Sequence, residues 1–279
     1  MSPPTAPKFF DSDDARLACR DEGAGPALVL VHGWLLDSTQ WDAQALAWRP
    51  RFRVLRMDRR GFGASSGPVG LARDAADIVR LLDRLGIRRA GIVGMSQGAR
   101  IALHLAAALP GRVACAVLDG TPALQGLPAP EGPPETPLSE YRELLARRGI
   151  DALRDELAAH PLMQLHCEDP AARSALAAML GRYSGADLAA APGPELDLST
   201  DRLAGLEVPV LVLNGALDSA QRLAVGNSLA RLIPRAERRI VPRAGHLACL
   251  DSRETYSAIV LEFLTRHLNR WATTPGETA

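Results

Sequence analysis

The stretch Ala90-Gly91-Ile92-Val93-Gly94-Met95-Ser96-Gln97-Gly98-Ala99-Arg100 decides how the rest of the chain is read. An apolar run of strand character leads directly into Gly-x-Ser-x-Gly. A helix-like run over residues 101–109 follows at once and stops at Pro110. Strand, sharp turn and helix in that order make a nucleophile elbow. The serine then sits on a strained turn, so the residues two positions away on each side must be small. Gly94 and Gly98 fill those places. The turn lifts the Ser96 hydroxyl out of the sheet, and the helix N-terminus behind it favours developing negative charge. Gly-x-Ser-x-Gly also arises by chance in a chain with 24 glycines. The flanking strand and helix make it a prediction.

The 279 residues, 47% of them hydrophobic, suffice for one large α/β domain or one with an insertion. The 32 basic and 32 acidic residues balance, which argues against a nucleic-acid partner and gives no sign of an anionic membrane surface. Residues 1–8 lack the apolar core of a signal peptide, and no apolar run approaches the roughly 20 residues that span a bilayer. The expectation is a soluble, cytoplasmic protein. Cys19, Cys115, Cys167 and Cys249 form no Cys-x-x-Cys pair, so neither a disulfide framework nor a zinc site is expected. No metal or cofactor is called for.

Along the chain, residues 9–10 and 16–20 suggest a short antiparallel pair split by Asp11-Ser12-Asp13-Asp14. Residues 27–31 form a continuous apolar run typical of a strand buried on both faces. Further strands are predicted over 51–57, 113–118, 208–213 and 240–241, and helices over 75–85 and 253–268. The first eight residues and the tail after Trp271 read as loose. Strand and helix alternate, which predicts a mostly parallel, doubly wound α/β sheet. The alternation breaks between about 123 and 201. That stretch opens with Pro128, Pro130, Pro133, Pro134 and Pro137, then shows helical patterns over 139–148, 151–159 and 170–183. It reads as an all-helical cap: residues 1–122 and 204–279 form the core, and 123–203 the insertion.

A serine hydroxyl needs a base within hydrogen-bond reach, and the base needs a group to orient it. His246, in Pro242-Arg243-Ala244-Gly245-His246, lies on a loop after the last strand, where it can hang over the sheet edge. His104, His160, His166 and His267 lie on predicted helices or in the cap and are read as structural or solvated. Asp218 follows the apolar run 208–213, at the edge where open α/β sheets carry their sites. It would hold the imidazole in the right tautomer and stabilise it when charged. Asp119, after the run 113–118, is its rival for that role.

The order Ser96, Asp218, His246 is that of the α/β-hydrolase architecture. Two further stretches carry a resemblance to that family over nearly the whole chain. Val31-His32-Gly33-Trp34 is similar to its His-Gly-x oxyanion loop, and Asp58-Arg59-Arg60-Gly61-Phe62-Gly63-Ala64-Ser65 to its Asp-x-Arg-Gly-x-Gly-x-Ser loop. The chain thus resembles α/β-hydrolase-fold serine hydrolases of the esterase and lactonase kind, with a helical cap. Around 58–65 it also resembles the cofactor-free perhydrolases (non-haem haloperoxidases). The resemblance implies an oxyanion hole made by the backbone N–H groups of Trp34 and Gln97, with His32 and Arg60 in structural roles. The chain departs from the family in ending its elbow Gly98-Ala99, without a second glycine. Ser219-Ala220-Gln221 also follows Asp218, in place of the proline or threonine common there. A serine nucleophile, not an aspartate, speaks against haloalkane dehalogenases and epoxide hydrolases.

The function expected is cofactor-independent cleavage of an ester, thioester or lactone of a small, mainly apolar substrate through an acyl-enzyme on Ser96. Trp34, Met95, Leu124, Leu162, Met163, Leu217 and Leu247 are the candidate pocket residues. The alternatives are a perhydrolase, with peroxide as acceptor, and a small-molecule receptor with little turnover. No obvious basic pair marks a carboxylate or phosphate clamp, and oligomeric state is not readable.

Overall fold

In the computed structural model, eight strands form one sheet in the order β1-β2-β4-β3-β5-β6-β7-β8. The described residues are 6–128, 134–191 and 193–268. Pro130, Pro133, residues 1–5 of the N-terminal tail and the tail after Trp271 lie outside them. The strands are β1 (Lys8–Ser12), β2 (Ala15–Glu22), β3 (Ala27–Val31), β4 (Arg53–Met57), β5 (Ala90–Met95), β6 (Val113–Asp119), β7 (Val210–Gly215) and β8 (Ala236–Val241). β1 and β2 pair antiparallel, as do β2 and β4, and every other pairing is parallel.

The central strands β3, β5, β6 and β7 carry near-continuous apolar runs because both faces are covered, whereas β4 holds Arg53 and Arg56 and the edge strand β8 holds Glu237, Arg238 and Arg239. Leu28, Leu30, Val93, Val117 and Leu211 pack on one face, and Val29, Val31, Ile92, Leu118 and Val212 on the other. Against the first face lie α1 (Asp42–Trp48), α9 (Ala248–Asp251) and α10 (Arg253–Leu268), and against the second α2 (Leu71–Arg84), α3 (Gln97–Ala108) and α8 (Ala220–Leu232). α2 begins four residues before the apolar periodicity suggests, because the backbone turns into it at Gly70 (φ 156).

Between β6 and β7 the chain forms α4 (Leu138–Ala159), α5 (Pro170–Arg182), α6 (Ala186–Ala189) and α7 (Thr200–Ala204). The two helices expected over 139–148 and 151–159 are the two halves of α4, parted at Gly149, where φ is 77. α5 starts as expected: the Asp169 carboxylate accepts from Ala171 N at 2.8 Å, and Pro170 occupies the first helical position. Tyr141, Leu153, Leu162, Met163 and Tyr183 join Trp34 and Leu247 in one apolar cluster, so the insert lies over the β3 and β8 loops. No helix among the described residues is long and apolar enough to cross a membrane.

The strand order places the site. From β3 the chain passes to β4 on one side, then returns over β3 to β5 and continues away through β6, β7 and β8. The reversal lies between β3 and β5, and ligands of open α/β sheets bind beyond the carboxyl ends of strands at such a point. The loop holding Trp34 follows β3, and Ser96 follows β5.

Candidate active site

Ser96 is the N-cap of α3 and has φ 54 and ψ −115. A non-glycine residue is held there only at a cost of order 1–3 kcal/mol, which the surrounding packing must over-determine. The packing here is tight. A Cβ on Gly94 would lie 2.1 Å from the Gly98 carbonyl oxygen, and one on Gly98 would lie 2.3 Å from that of Val31. The elbow helix therefore sits directly on the end of β3. Because those neighbours are backbone, Gly98→Ala should cost ~1–3 kcal/mol, seen as a fall of several degrees in Tm. An unchanged melting curve would contradict the close packing.

The β3 loop is fixed beside the elbow. Gly33 N donates to Gln40 Oε1 at 3.1 Å, and a Cβ on Gly33 would meet Met95 Sδ at 2.5 Å and Ser96 Cβ at 3.5 Å. His32 is buried, and burial together with the Arg59 charge pushes its pKa down to about 4. The neutral ring donates from Nδ1 to the Gly33 carbonyl (2.8 Å) and accepts at Nε2 from Arg59 N (2.9 Å). It shapes the loop. Arg60 is tied to Asp77 (2.6 Å) and Asp14, which anchors the 58–65 loop. The N–H groups of Trp34 and Gln97 donate to no acceptor among the described residues. The Gln97 N–H belongs to the first turn of α3, where intrahelical acceptors are lacking. Trp34 is also gripped from the insert: its Nε1 donates to Asp187 Oδ2 at 2.6 Å, and Tyr183 Oη donates to Asp187 Oδ1 at 2.7 Å.

His246 lies on the loop between β8 and α9, with Nδ1 3.2 Å from Asp218 Oδ1. The pair is within ion-pair range but off the line of a well-formed hydrogen bond. Asp218 is held by Asn214 Nδ2 (2.8 Å to Oδ2) and by Ser219 N (2.9 Å to Oδ1). Burial would raise the Asp218 pKa, but His246, Asn214 and Arg222 outweigh it and hold the carboxyl below its ordinary value. The pKa of His246 is lowered, first by burial and then by the charge of Arg222. A neutral imidazole is the form that can take a proton.

Asp119, the rival acid, is fully buried at the end of β6, and neither oxygen has a hydrogen-bond partner among the described residues. Burial and the neighbouring Asp218 charge drive its pKa well above the ordinary carboxylate range. Asp218 is the carboxylate beside His246.

Ser96 and His246 converge on Gly120. Arg222 Nη1 donates both to Ser96 Oγ (3.1 Å) and to the Gly120 carbonyl (2.7 Å). A Cβ on Gly120 would lie 2.7 Å from His246 Cε1. Among the described residues the hydrogen bond at Ser96 Oγ comes from Arg222, and none joins Ser96 to His246. Catalytic hydrogen bonds are often long or misaligned before substrate binds. Arg222 is the residue that sequence reasoning missed. It is the third residue of α8, four positions after Asp218, so it turns back to the acid loop. The signal was the unusual Ser219-Ala220-Gln221 that precedes it: Ser219 Oγ caps α8 by accepting from Arg222 N at 3.2 Å.

The expected pocket residues divide. Trp34, Leu162, Met163 and Leu247 are together in the cluster under the insert, with Met95 buried behind Gly33. Two expectations need correction. Leu217 is 54% exposed on the outer side of the acid loop, because its neighbour Asp218 takes the inward position. Leu124 packs with Leu196, Leu198 and Leu203 against the opposite layer of the sheet, because the chain leaving β6 crosses to that side first.

Comparison with known proteins agrees with this architecture. Residues 26–252 match the family model described as the alpha/beta hydrolase fold. A non-heme haloperoxidase of Rhodococcus erythropolis is 31% identical over 271 residues, covering 91% of this chain and 97% of that protein. A thermophilic esterase from Thermogutta terrifontis superposes with a TM-score of 0.78 at 28% identity, over 96% of this chain and 100% of its own. The enol-lactonase from Burkholderia xenovorans does so with a TM-score of 0.77 at 26% identity, over 92% of this chain and 100% of its own. By fold and by sequence the chain belongs to the α/β-hydrolase family, as an esterase-like hydrolase.

Proposed function

We propose that the protein is a cofactor-independent serine hydrolase that cleaves esters or lactones of small, mainly apolar compounds through an acyl-enzyme. The observation that carries this reading is the meeting of a strained serine, bridged by Arg222 to the Gly120 carbonyl, and a histidine that packs on Gly120 beside the Asp218 carboxylate, beyond the carboxyl ends of β5 and β6. In the first step Ser96 Oγ forms a bond to the carbonyl carbon while its proton passes to His246 Nε2. The charge that appears on the carbonyl oxygen is met by the N–H groups of Trp34 and Gln97, and loss of one such donor typically costs ~2.7–4 kcal/mol. The ester C–O bond then breaks and the proton returns to the leaving oxygen. Water, deprotonated by His246, attacks the acyl-enzyme, and the acid leaves with Ser96 restored. Asp218 keeps the Nδ1–H of the imidazole directed away from the reaction.

Residues 123–203 act in this reading as a cap. Trp34, Leu162, Met163 and Leu247 line the apolar side of the bound substrate. The four unpaired cysteines fit a reducing compartment, and the enzyme is assigned to the cytoplasm. Labelling with a fluorophosphonate, with the adduct located by mass spectrometry, tests the reading. The adduct is expected on Ser96, and an adduct on any other residue would sink it.

The pH profile follows from the state of His246. The base works as the neutral ring, and its pKa is depressed below 6.5 by burial and by Arg222, against the opposing pull of Asp218 and Glu135. Activity is therefore lost only as pH falls through that lowered value. The acid limb of kcat/KM should lie below pH 6.5. A limb above that point, measured with a neutral ester, would contradict the assignment.

The similarity to a non-heme haloperoxidase favours a second reading, in which hydrogen peroxide replaces water as acceptor and a peracid is the product. Measuring peracid formation against hydrolysis from one acyl donor separates the two.

A further inference from the structure

A buried cation beside the attacking oxygen is not something that acyl transfer on a neutral ester requires. The developing charge on the carbonyl is met by backbone donors. A positive charge at this place also lowers the basicity of His246, against the interest of the base. Yet Arg222 is only 4% exposed and is held in position from three sides. Its Nε donates to Glu135 Oε2 at 2.7 Å, and its Nη1 to the Gly120 carbonyl at 2.7 Å. Ser219 Oγ caps its backbone N–H and donates to the other oxygen of the same Glu135 carboxylate. Glu135 is itself fixed, since its carbonyl is 2.8 Å from His160 Nε2.

This leaves the amino end of the guanidinium at the nucleophile. Nη1 is 3.1 Å from Ser96 Oγ, and Nη2, bonded to the same carbon, has no hydrogen-bond partner among the described residues. Two parallel N–H groups held rigidly in this way match the two oxygens of a carboxylate. The other flank of the elbow is positive as well. Arg59 follows β4, on the far side of β5 from α8, and its Nη2 donates to Gln97 Oε1 at 2.8 Å. Its Nη1 is buried with no hydrogen-bond partner among the described residues, its guanidinium lies over the Phe62 ring at 4.6 Å, and Asp74, 3.4 Å away, faces its Nε. Buried donors without acceptors are rare in a folded chain and call for an explanation.

We propose that Arg222 is the specificity-determining residue of this enzyme and takes a carboxylate carried by the substrate a few bonds from the scissile carbonyl. The substrate is then an otherwise apolar ester or lactone with one anionic group. The carboxylate replaces Ser96 Oγ as the acceptor of Nη1 and adds the partner that Nη2 lacks. Ser96 Oγ, freed from Arg222, turns to His246. Recognition of the anion and release of the nucleophile become one event. The proposal rests on the hydrolase reading above.

Two near-isosteric ester pairs test it, with hydrolysis followed by pH-stat. Methyl hydrogen succinate against methyl isocaproate places the charge on the acyl side, and acetoxyacetate against isobutyl acetate places it on the alcohol side. The wild-type enzyme is expected to favour the anionic member of at least one pair in kcat/KM. Arg222→Gln should lower that anionic-to-neutral ratio by about 10- to 100-fold, mainly through KM, the range of a hydrogen bond to a charged group. Arg222→Lys should retain part of the preference. A merely structural pin between α8 and Glu135 would lower both members of a pair equally and leave the ratio unchanged.

Preference for the neutral ester in both pairs, or a ratio that Arg222→Gln leaves within about threefold of wild type, overturns the proposal. So does an enzyme that labels at Ser96 with the fluorophosphonate yet cleaves neither anionic ester, an outcome that leaves the hydrolase reading standing. Failure to cleave any of the four esters and to label at Ser96 removes both.

Discussion

Ser96→Ala should lower kcat for ester hydrolysis by about 10⁴–10⁶ and abolish the fluorophosphonate adduct. The size of the loss follows from what the side chain does. Without Oγ no acyl-enzyme can form, and only the oxyanion donors and substrate binding remain to assist direct attack by water. Alanine keeps the Cβ and the same backbone constraint at φ 54, so the fold should be retained and the Tm should change little. His246→Ala should fall in the same range, and the double variant should be little worse than either single one, because the two groups act as a unit. A Ser96→Ala enzyme within tenfold of wild type would transfer the chemistry to another group.

Asp218→Asn should cost up to about 10⁴ in kcat, while Asp119→Asn costs far less. The two acids are neighbours of opposite character. Asp218 is kept ionised by Asn214, Ser219 N–H, His246 and Arg222. An amide there no longer stabilises the imidazolium, and it can hold the ring in the wrong tautomer. Asp119 is buried with neither oxygen hydrogen-bonded among the described residues, and burial with the adjacent Asp218 charge drives its pKa well above the ordinary carboxylate range. The contact to His246 Nδ1 is made by Asp218, so an amide of the same shape at 119 leaves it in place. Steady-state kinetics of the two variants on one neutral ester decide the matter, and a reversal of their order would give the acid role to Asp119.

The insert is bound to the site through polar groups as well as packing. Arg182 Nε donates to Asp37 Oδ2 at 2.8 Å, Asp187 receives Trp34 Nε1, and Asp251 accepts from Gly245 N (2.7 Å) while also receiving the N–H groups of His166 and Cys167. The last of these joins the insert to the residue before His246. The insert is thus tied to the Trp34 loop at one end and to the His246 loop at the other.

Much of this was legible in the chain. The continuous apolar runs announced strands covered on both faces, since neither face has an alternating polar side. Gly94 and Gly98 announced the elbow, because backbone atoms within 2.1–2.3 Å of a would-be Cβ leave room for hydrogen only. His246 and Asp218 were legible from their positions after strands and from their order. The exposed side of Leu217 and the layer taken by Leu124 were not. Each depends on which way a loop or helix turns once it meets its neighbours, and periodicity does not encode that.

The sequence alone determined the type of sheet, the elbow and the order of the candidate site residues, since these rest on local sterics and on hydrophobic repeats a few residues long. Tertiary structure alone decided that Arg222 touches Ser96 Oγ across 126 positions of chain, and that Glu135 reaches Arg222 across another 87. A charged residue near the start of an amphipathic helix reads as solvated in the sequence. Only the packing of α8 against β7, which brings the first turn of that helix down beside Gly120, makes it a buried cation at the nucleophile.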